Sequence, residues 1–190
     1  MQMFHQEHWV NTPLAAVFRF FANPANLPRI MPPQTGATLL QTRLLAPPLQ
    51  AEIETEDSGQ LAGSGSEIVV SFRLFPHLPF RMKWVSRIVE FEIDQYFVDV
   101  QARGPFKFWC HRHEFLPSDR NGLPGTAIRD IVEYEIGFGP AGDLADRTFV
   151  RPSCAEPSHS ANKLQSIYFR TRLSTRSSER RRSKGESTGS

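Results

Sequence analysis

The sequence predicts an α+β fold: a seven-stranded, curved antiparallel sheet with two short N-terminal helices and a C-terminal helix. Apolar residues recur at helical spacing directly after Thr12-Pro13. Strand-like segments then follow for about a hundred residues, joined by short turns and without an intervening helical pattern. Because parallel strands need long crossover connections, these short turns predict antiparallel pairing between consecutive strands.

A strand and a bent pair of helices are expected first. The strand covers Phe4 to Asn11, Thr12 is the expected N-cap, and Pro13 the first helical residue. Asn23-Pro24 ends the first helix and begins the second, which Pro32-Pro33 terminates. Four residues at i, i+3, i+4 and i+7 form the apolar face of the first helix: Leu14, Val17, Phe18 and Phe21.

Six further strands are expected between turns that contain glycine, proline and asparagine. Gly63-Ser64-Gly65 precedes a strand and not a helix, which indicates a hairpin loop and not a phosphate-binding loop. The six predicted strands are Thr38–Leu45, Glu67–Phe75, Arg81–Asp94, Tyr96–Ala102, Phe108–Leu116 and Thr126–Phe138.

The C-terminal part changes character. Helical periodicity returns weakly in Lys163 to Leu173, after a stretch interrupted by Pro152 and Pro157, so we expect a broken closing helix. We expect residues 1–173 to form one domain and residues 174–190 a disordered basic tail. From Arg170 onward there are seven basic and two acidic residues, whereas the rest of the chain has fifteen basic and eighteen acidic ones. Only the tail indicates an anionic partner. We expect the tail to make a weak contact with an anionic surface and to bind no specific nucleic acid.

Composition limits the class of protein. A hydrophobic fraction of 39% with 15 phenylalanines indicates a globular chain, and no apolar run is long enough to span a bilayer. The first residues lack the pattern of a secretory signal. Two cysteines, Cys110 and Cys154, are too few for a disulfide framework, so we expect a cytoplasmic protein.

The most informative stretch is RGPFKFWCHRHEF, from Arg103 to Phe115. Alternate residues of a strand face the same way, so Trp109, His111, His113 and Phe115 form one row. On two neighbouring strands, the residues that face the same way as this row include polar ones. If the row faces inward, these polar residues would meet the histidines. These are Asp99 and Gln101, beside Phe97, on one strand, and Asp130, beside Tyr134, on the other.

Three interpretations of this polar group stay open. It orients a ligand carbonyl or hydroxyl, or acts as a general acid and base with His111, His113 and Asp130 as candidate catalytic residues. It is a buried hydrogen-bonded lattice that satisfies itself. Or it holds a metal, although His-x-His alone is a weak signal and we expect neither metal nor other cofactor.

Nearby residues add to the expected site or are excluded from it. Arg87 either pairs with Asp99 or Asp130, or extends to solvent. Cys110 lies on the face opposite the histidines, which argues against a Cys-His nucleophilic pair. The predicted ligand-binding residues are Trp84, Phe97, Asp99, Gln101, Trp109, His111, His113, Phe115, Asp130 and Tyr134.

Three segments carry a family resemblance: TPLAAVFRFFANPANLPRIMPP, FVDVQARGPFKFWCHRHEF and GTAIRDIVEYEIGFGPAGDLAD. Together they resemble bacterial members of the START-like superfamily, often called SRPBCC or polyketide cyclase/dehydrase-like proteins, over Met3 to Val150. The resemblance implies a helix-grip fold, in which a curved sheet wraps round a C-terminal helix and encloses a hydrophobic cavity. Such proteins bind lipids, sterols, polyketides, quinones or hormones, and some catalyse cyclisation or dehydration.

The function predicted is binding of a hydrophobic small molecule, such as a lipid, quinone or polyketide, without changing it. A cyclase or dehydratase that uses His111 or His113 as its base is the first alternative. A protein-interaction module with a vestigial cavity is the second. Binding is favoured because the sequence contains no nucleophile paired with a base and no cofactor motif. The oligomeric state is left open.

Overall fold

The computed structural model describes residues 1–47, 61–73 and 79–137 of the 190-residue chain. No helix in these described ranges is both long and apolar enough to cross a membrane. The elements are β1 (Gln2–Val10), α1 (Leu14–Ala22), α2 (Leu27–Ile30), β2 (Thr38–Arg43), β3 (Glu67–Phe72), β4 (Met82–Glu92), β5 (Tyr96–Arg103), β6 (Phe108–Arg120) and β7 (Leu123–Glu135). Short 3₁₀ turns follow α1, at Pro24–Asn26, and α2, at Pro33–Thr35.

The strands form one antiparallel sheet in the order β1-β7-β6-β5-β4-β3-β2. Consecutive strands are therefore neighbours from β2 to β7, as the short turns predicted. The N-terminal strand β1 is the exception, because it pairs with β7 at the far end of the sheet. The predicted seven-stranded α+β fold is confirmed.

Helix α1 packs on the face of the sheet that carries the histidine row. Phe18 is 1% exposed and makes edge contacts with Phe91, Phe97 and Phe115, at ring-centroid distances of 5.3, 6.3 and 5.3 Å. Phe21 contacts Phe115 and the imidazole of His113. This face of the sheet is therefore the interior one, as strand phase predicted.

The hairpin between β6 and β7 is longer than predicted on both sides. Asn121 and Gly122 both have positive φ, 54° and 74°, which is the backbone of a two-residue hairpin turn. The strands consequently continue up to the turn, and β6 includes Pro117 while β7 includes Pro124. The prolines and Gly125 led the sequence pattern to end these strands too early.

The predicted helix cap at Thr12 is wrong. Pro13 is the N-cap, since its carbonyl accepts the first helical bonds, from the amides of Ala16 and Val17. The Thr12 hydroxyl is buried and has no hydrogen-bond partner within the described part of the chain. Its backbone carbonyl instead accepts a hydrogen bond from Thr126 Oγ1, which joins the start of α1 to β7.

The predictions for the C-terminal region, including the broken closing helix at Lys163 to Leu173 and the basic tail, lie outside the described residues. The same is true of Phe138 and of Phe75, the predicted ends of two strands.

Candidate functional site

Four polar side chains selected by strand phase come together at the centre of the sheet. Asp99 on β5 is the register partner of His111 on β6, and His113 on β6 is the partner of Asp130 on β7. Their side chains are between 12% and 20% exposed. The two imidazoles lie 3.8 Å apart between ring centroids. We refer to Asp99, His111, His113 and Asp130 as the His-Asp cluster.

One carboxylate of the cluster contacts both histidines. Asp130 Oδ1 is 2.6 Å from His113 Nδ1 and 3.3 Å from His111 Nε2. Asp99 Oδ1 approaches the opposite nitrogens of the same rings, at 3.9 Å from His111 Nδ1 and 3.8 Å from His113 Nε2. The imidazoles therefore lie between two carboxylates. Asp130 is within hydrogen-bond distance of both rings, and Asp99 is slightly too distant to form a hydrogen bond with either.

The residues of the cluster differ in the direction in which their pKa values are shifted. Burial opposes ionisation of Asp130, but the charge of His113 and the hydrogen bonds from both imidazoles outweigh it, and the pKa of Asp130 lies well below its usual range. Burial also disfavours the charged form of His111, yet contact with Asp130 outweighs it and raises the pKa of His111. Burial and repulsion from His111 lower the pKa of His113.

Two polar residues that the sequence patterns did not select lie against the cluster. Ser86 on β4 is 9% exposed, and its hydroxyl donates a 2.8 Å hydrogen bond to Asp99 Oδ2. His8 on β1 lies close enough to Asp130 for that charge to act on it, although burial is the larger effect and lowers the pKa of His8. The residues of β1 alternate between partly buried and exposed, which places Gln6 and His8 on the interior face. In the sequence, polar residues on both faces of β1 hide this alternation, so no local pattern selects His8.

Aromatic side chains border the cluster on one side. Trp84 and Trp109 meet edge to face at 4.9 Å, and Phe106 and Tyr134 pack against Trp109. The indole N–H groups of both tryptophans are buried without a hydrogen-bond partner within the described residues. On the other side of the cluster, Phe97 lies 4.5 Å from the His113 ring.

Of the remaining predicted residues, Phe115 and Tyr134 are buried in the interior. Gln101 and Arg87 form hydrogen bonds with groups outside the cluster. Gln101 donates to the carbonyl of Phe106 at 2.7 Å and accepts from its amide at 3.2 Å, and so closes the Gly-Pro turn. Arg87 pairs with Glu67 on β3, so neither suggested pairing of Arg87 with a cluster aspartate occurs. Cys110 is half-buried and alternates with the histidines along β6, in line with the face assigned to it.

The cluster also contains a set of atoms suited to a metal ion. Asp99, His111 and His113 each offer one ligand atom, and these atoms all lie within 4.8 Å of one another. A carboxylate oxygen and two imidazole nitrogens are ligands that zinc and related metals accept.

Comparison with solved structures identifies the fold. The protein TTHA0849 from Thermus thermophilus has a TM-score of 0.57 at 16% identity over 87% of this chain and 95% of its own. A START superfamily protein from Mycobacterium smegmatis also scores 0.57, at 11% identity over the same shares. Norcoclaurine synthase from Thalictrum flavum, in complex with dopamine and hydroxybenzaldehyde, scores 0.54 at 12% identity over 89% of this chain and 87% of its own. No protein-family model and no curated protein matches the sequence.

The chain therefore has the START-like helix-grip fold, as its sequence resemblance implied. This class of fold carries both ligand-binding proteins and enzymes, so function has to be argued from the site.

Proposed function

We propose that this protein binds a hydrophobic, ring-bearing small molecule against the face of the sheet that carries the His-Asp cluster, and does not transform it. The observation that carries the proposal is the pair of buried indole N–H groups of Trp84 and Trp109, which have no hydrogen-bond partner in residues 1–47, 61–73 and 79–137. A buried donor without a partner costs about 1–3 kcal/mol. A ligand oxygen that accepts from one or both indoles would remove that cost.

The surroundings of the tryptophans support the same class of ligand. The partly exposed rings of Trp84 and Phe106, 5.7 Å apart between centroids, offer flat surfaces for a ring. The His-Asp cluster beyond Trp109 offers polar groups, and the Trp109 and His111 ring centroids are 6.1 Å apart. A mostly apolar site with a few convergent polar groups is the usual composition of a small-molecule site. The aromatic compounds bound by norcoclaurine synthase, which has a similar fold, agree with a ring-bearing ligand. A cytoplasmic location is part of this proposal.

Ligand binding is tested by fluorescence titration and thermal shift with a panel of quinones, aromatic ketones, polyketide-like phenols and fatty acids. Native mass spectrometry of the purified full chain identifies any co-purified molecule. Trp109→Phe and Trp84→Phe retain most of the ring surface but lack the donor, and each should weaken binding about 3- to 10-fold. Trp9→Phe is the matched control, because Trp9 Nε1 already donates to the Ser118 carbonyl at 2.9 Å. A panel without any binder, or equal losses in all three variants, contradicts the proposal.

A catalytic function of cyclase or dehydratase type is the second candidate, and the 2.6 Å contact between His113 and Asp130 favours it. A carboxylate that fixes an imidazole and stabilises its protonated form is the arrangement of a general base. His113→Gln should then abolish turnover of a bound ligand and leave its affinity within a few-fold. Equal loss of affinity and turnover would indicate a binding role only.

A further inference from the structure

The geometry points to a divalent metal site formed by Asp99, His111 and His113, in which Asp130 positions the two imidazoles. The site would take a zinc-class ion, because its donors are two nitrogens and one carboxylate oxygen. This inference goes beyond small-molecule binding and does not depend on it, since it rests on these side chains alone.

The positions of the imidazole protons follow from the contacts with Asp130. An ionised carboxylate only accepts hydrogen bonds, so the two nitrogens that contact Asp130 Oδ1 must be the protonated ones. These are His113 Nδ1, at 2.6 Å, and His111 Nε2, at 3.3 Å. In neutral imidazoles the remaining nitrogens, His111 Nδ1 and His113 Nε2, then carry lone pairs.

A carboxylate oxygen lies near both of these nitrogens. Asp99 Oδ1 lies 3.9 Å from His111 Nδ1 and 3.8 Å from His113 Nε2. Asp99 is held in this orientation through its other oxygen, which accepts the hydrogen bond from Ser86. Three electron-pair donors that converge in a largely buried place repel one another unless a cation or a proton lies between them.

The spacing of the three atoms favours a metal ion over a direct hydrogen bond. Ligand bonds of about 2.1 Å at tetrahedral angles place neighbouring ligand atoms roughly 3.4 Å apart. The two separations from Asp99 Oδ1, 3.8 and 3.9 Å, are therefore within about 0.5 Å of coordination distance. The third separation, between the two imidazole nitrogens, is no more than 4.8 Å, and side-chain rotations would have to bring these two atoms closer. A direct N–H···O bond would need a closer approach, to about 2.9 Å.

The contacts of the ligands also match those of metal sites. Metal-binding histidines usually donate their second N–H to a carboxylate, which fixes the ring and raises its basicity. Here one carboxylate, that of Asp130, does this for both rings. Three protein ligands leave a fourth position for water or for a ligand oxygen.

The alternative is a proton in place of the metal, which makes one histidine an imidazolium that donates to both aspartates. The two possibilities differ in what binds to the cluster. Only the metal site takes up Zn²⁺ in a manner that requires Asp99.

The test uses tag-free full-length protein, stripped with a chelator and titrated with Zn²⁺ by calorimetry in the absence of any organic ligand. One ion per chain should bind. Asp99→Asn and His113→Gln should each weaken binding by more than about 100-fold, beyond the loss typical of outer-shell changes. His5→Gln is the matched control, because His5 lies on the exposed face of β1, and it should leave the affinity unchanged.

Co²⁺ as a probe separates ligands from positioning groups. Its visible absorption reports the coordination number, which should be four in the wild type. Asp130→Asn should weaken Co²⁺ binding about 10- to 100-fold and leave the shape of that spectrum unchanged, because Asp130 acts through the histidines. Circular dichroism establishes that each variant is folded.

The inference is overturned if the stripped protein binds no Zn²⁺, or if folded Asp99→Asn binds it as well as the wild type does. Small-molecule binding is measured separately on the stripped protein, so failure of one proposal leaves the other standing.

Discussion

Asp130 and His113 are register partners on β7 and β6, and their Oδ1 and Nδ1 atoms lie 2.6 Å apart. The same oxygen also contacts His111 Nε2, so a single carboxylate orients two imidazoles in the interior of the sheet. A buried acceptor that serves two donors couples the residues energetically, and the first prediction concerns that coupling.

Asp130→Asn should lower the free energy of unfolding by about 1–3 kcal/mol, because the amide cannot accept from both rings as the carboxylate does. With His113→Gln, a double-mutant cycle in urea at neutral pH should give a coupling of about 1–2 kcal/mol. Glu133→Gln is the matched control, because this substitution also replaces a carboxylate by an amide, but on the other face of β7. Strict additivity of the Asp130 and His113 variants would show that their contact contributes nothing to stability.

Two buried threonines should respond in opposite directions to the same substitution. The Thr12 hydroxyl has no partner within the described residues, so Thr12→Val should leave stability unchanged or raise it by up to about 1 kcal/mol. Thr126 Oγ1 donates to the Thr12 carbonyl, so Thr126→Val should cost about 1–2 kcal/mol. Chemical unfolding midpoints of the two variants measure the difference. Similar losses in both would mean that the Thr12 hydroxyl is satisfied in solution.

The thiol of Cys110 should react slowly. Burial raises the pKa of Cys110, and the charges of Glu133, Asp99 and Glu90 raise it further, so the thiolate that attacks an alkylating agent is scarce near neutral pH. In a Cys154→Ser background, alkylation by iodoacetamide at pH 8 should be several-fold slower for the folded protein than for the protein in urea. Faster reaction in the folded state would instead make Cys110 a candidate nucleophile.

Gln101 should stabilise the Gly-Pro turn and have no part in ligand affinity. Gln101→Met removes both hydrogen bonds to the backbone of Phe106, so the Phe106 amide should exchange about 5- to 30-fold faster with deuterium. Gln41→Met, at an exposed position on β2, is the control. A selective loss of ligand affinity without faster exchange at Phe106 would restore the predicted role of Gln101 at the site.

Strand phase was enough to predict that the four residues of the His-Asp cluster lie together. On β5, β6 and β7 the pairing is regular, so alternate residues of each strand reach the same face, and Asp99 and Asp130 were selected correctly as neighbours of the histidines. The resemblance to START-like proteins and the absence of crossovers were likewise enough for the fold.

Register irregularities explain part of what was missed. Ser86 alternates with Trp84 along β4 and so shares its face. The pairing of β4 with β5 shifts between Val85 and Ser86 and again between Ile88 and Glu90, so alternation does not predict that Asp99 is the partner of Ser86. His8 was overlooked because polar residues on both faces of β1 obscure its period. That β1 pairs with β7 is a long-range contact that no local pattern in β1 encodes.

Side-chain partners are the second limit. Gln101 has the phase of an interior residue, but its amide fits the backbone of the adjacent turn. Arg87 has an acidic partner across β3–β4 that was not considered. The alternation of a strand specifies the face from which a side chain projects. Competition among nearby groups decides which of them the side chain binds.

The order of the strands along the chain also determines when the site can form. The contact between Thr126 and Thr12 spans 114 positions of the chain, and the sheet is otherwise built from neighbours in sequence. During synthesis β1 therefore leaves the ribosome long before its partner, and the two imidazoles emerge before Asp130. Contacts between distant segments form slowly because the intervening chain must first be ordered. The nascent protein consequently has no complete cluster with which to capture an ion or a ligand until its last described strand has been made.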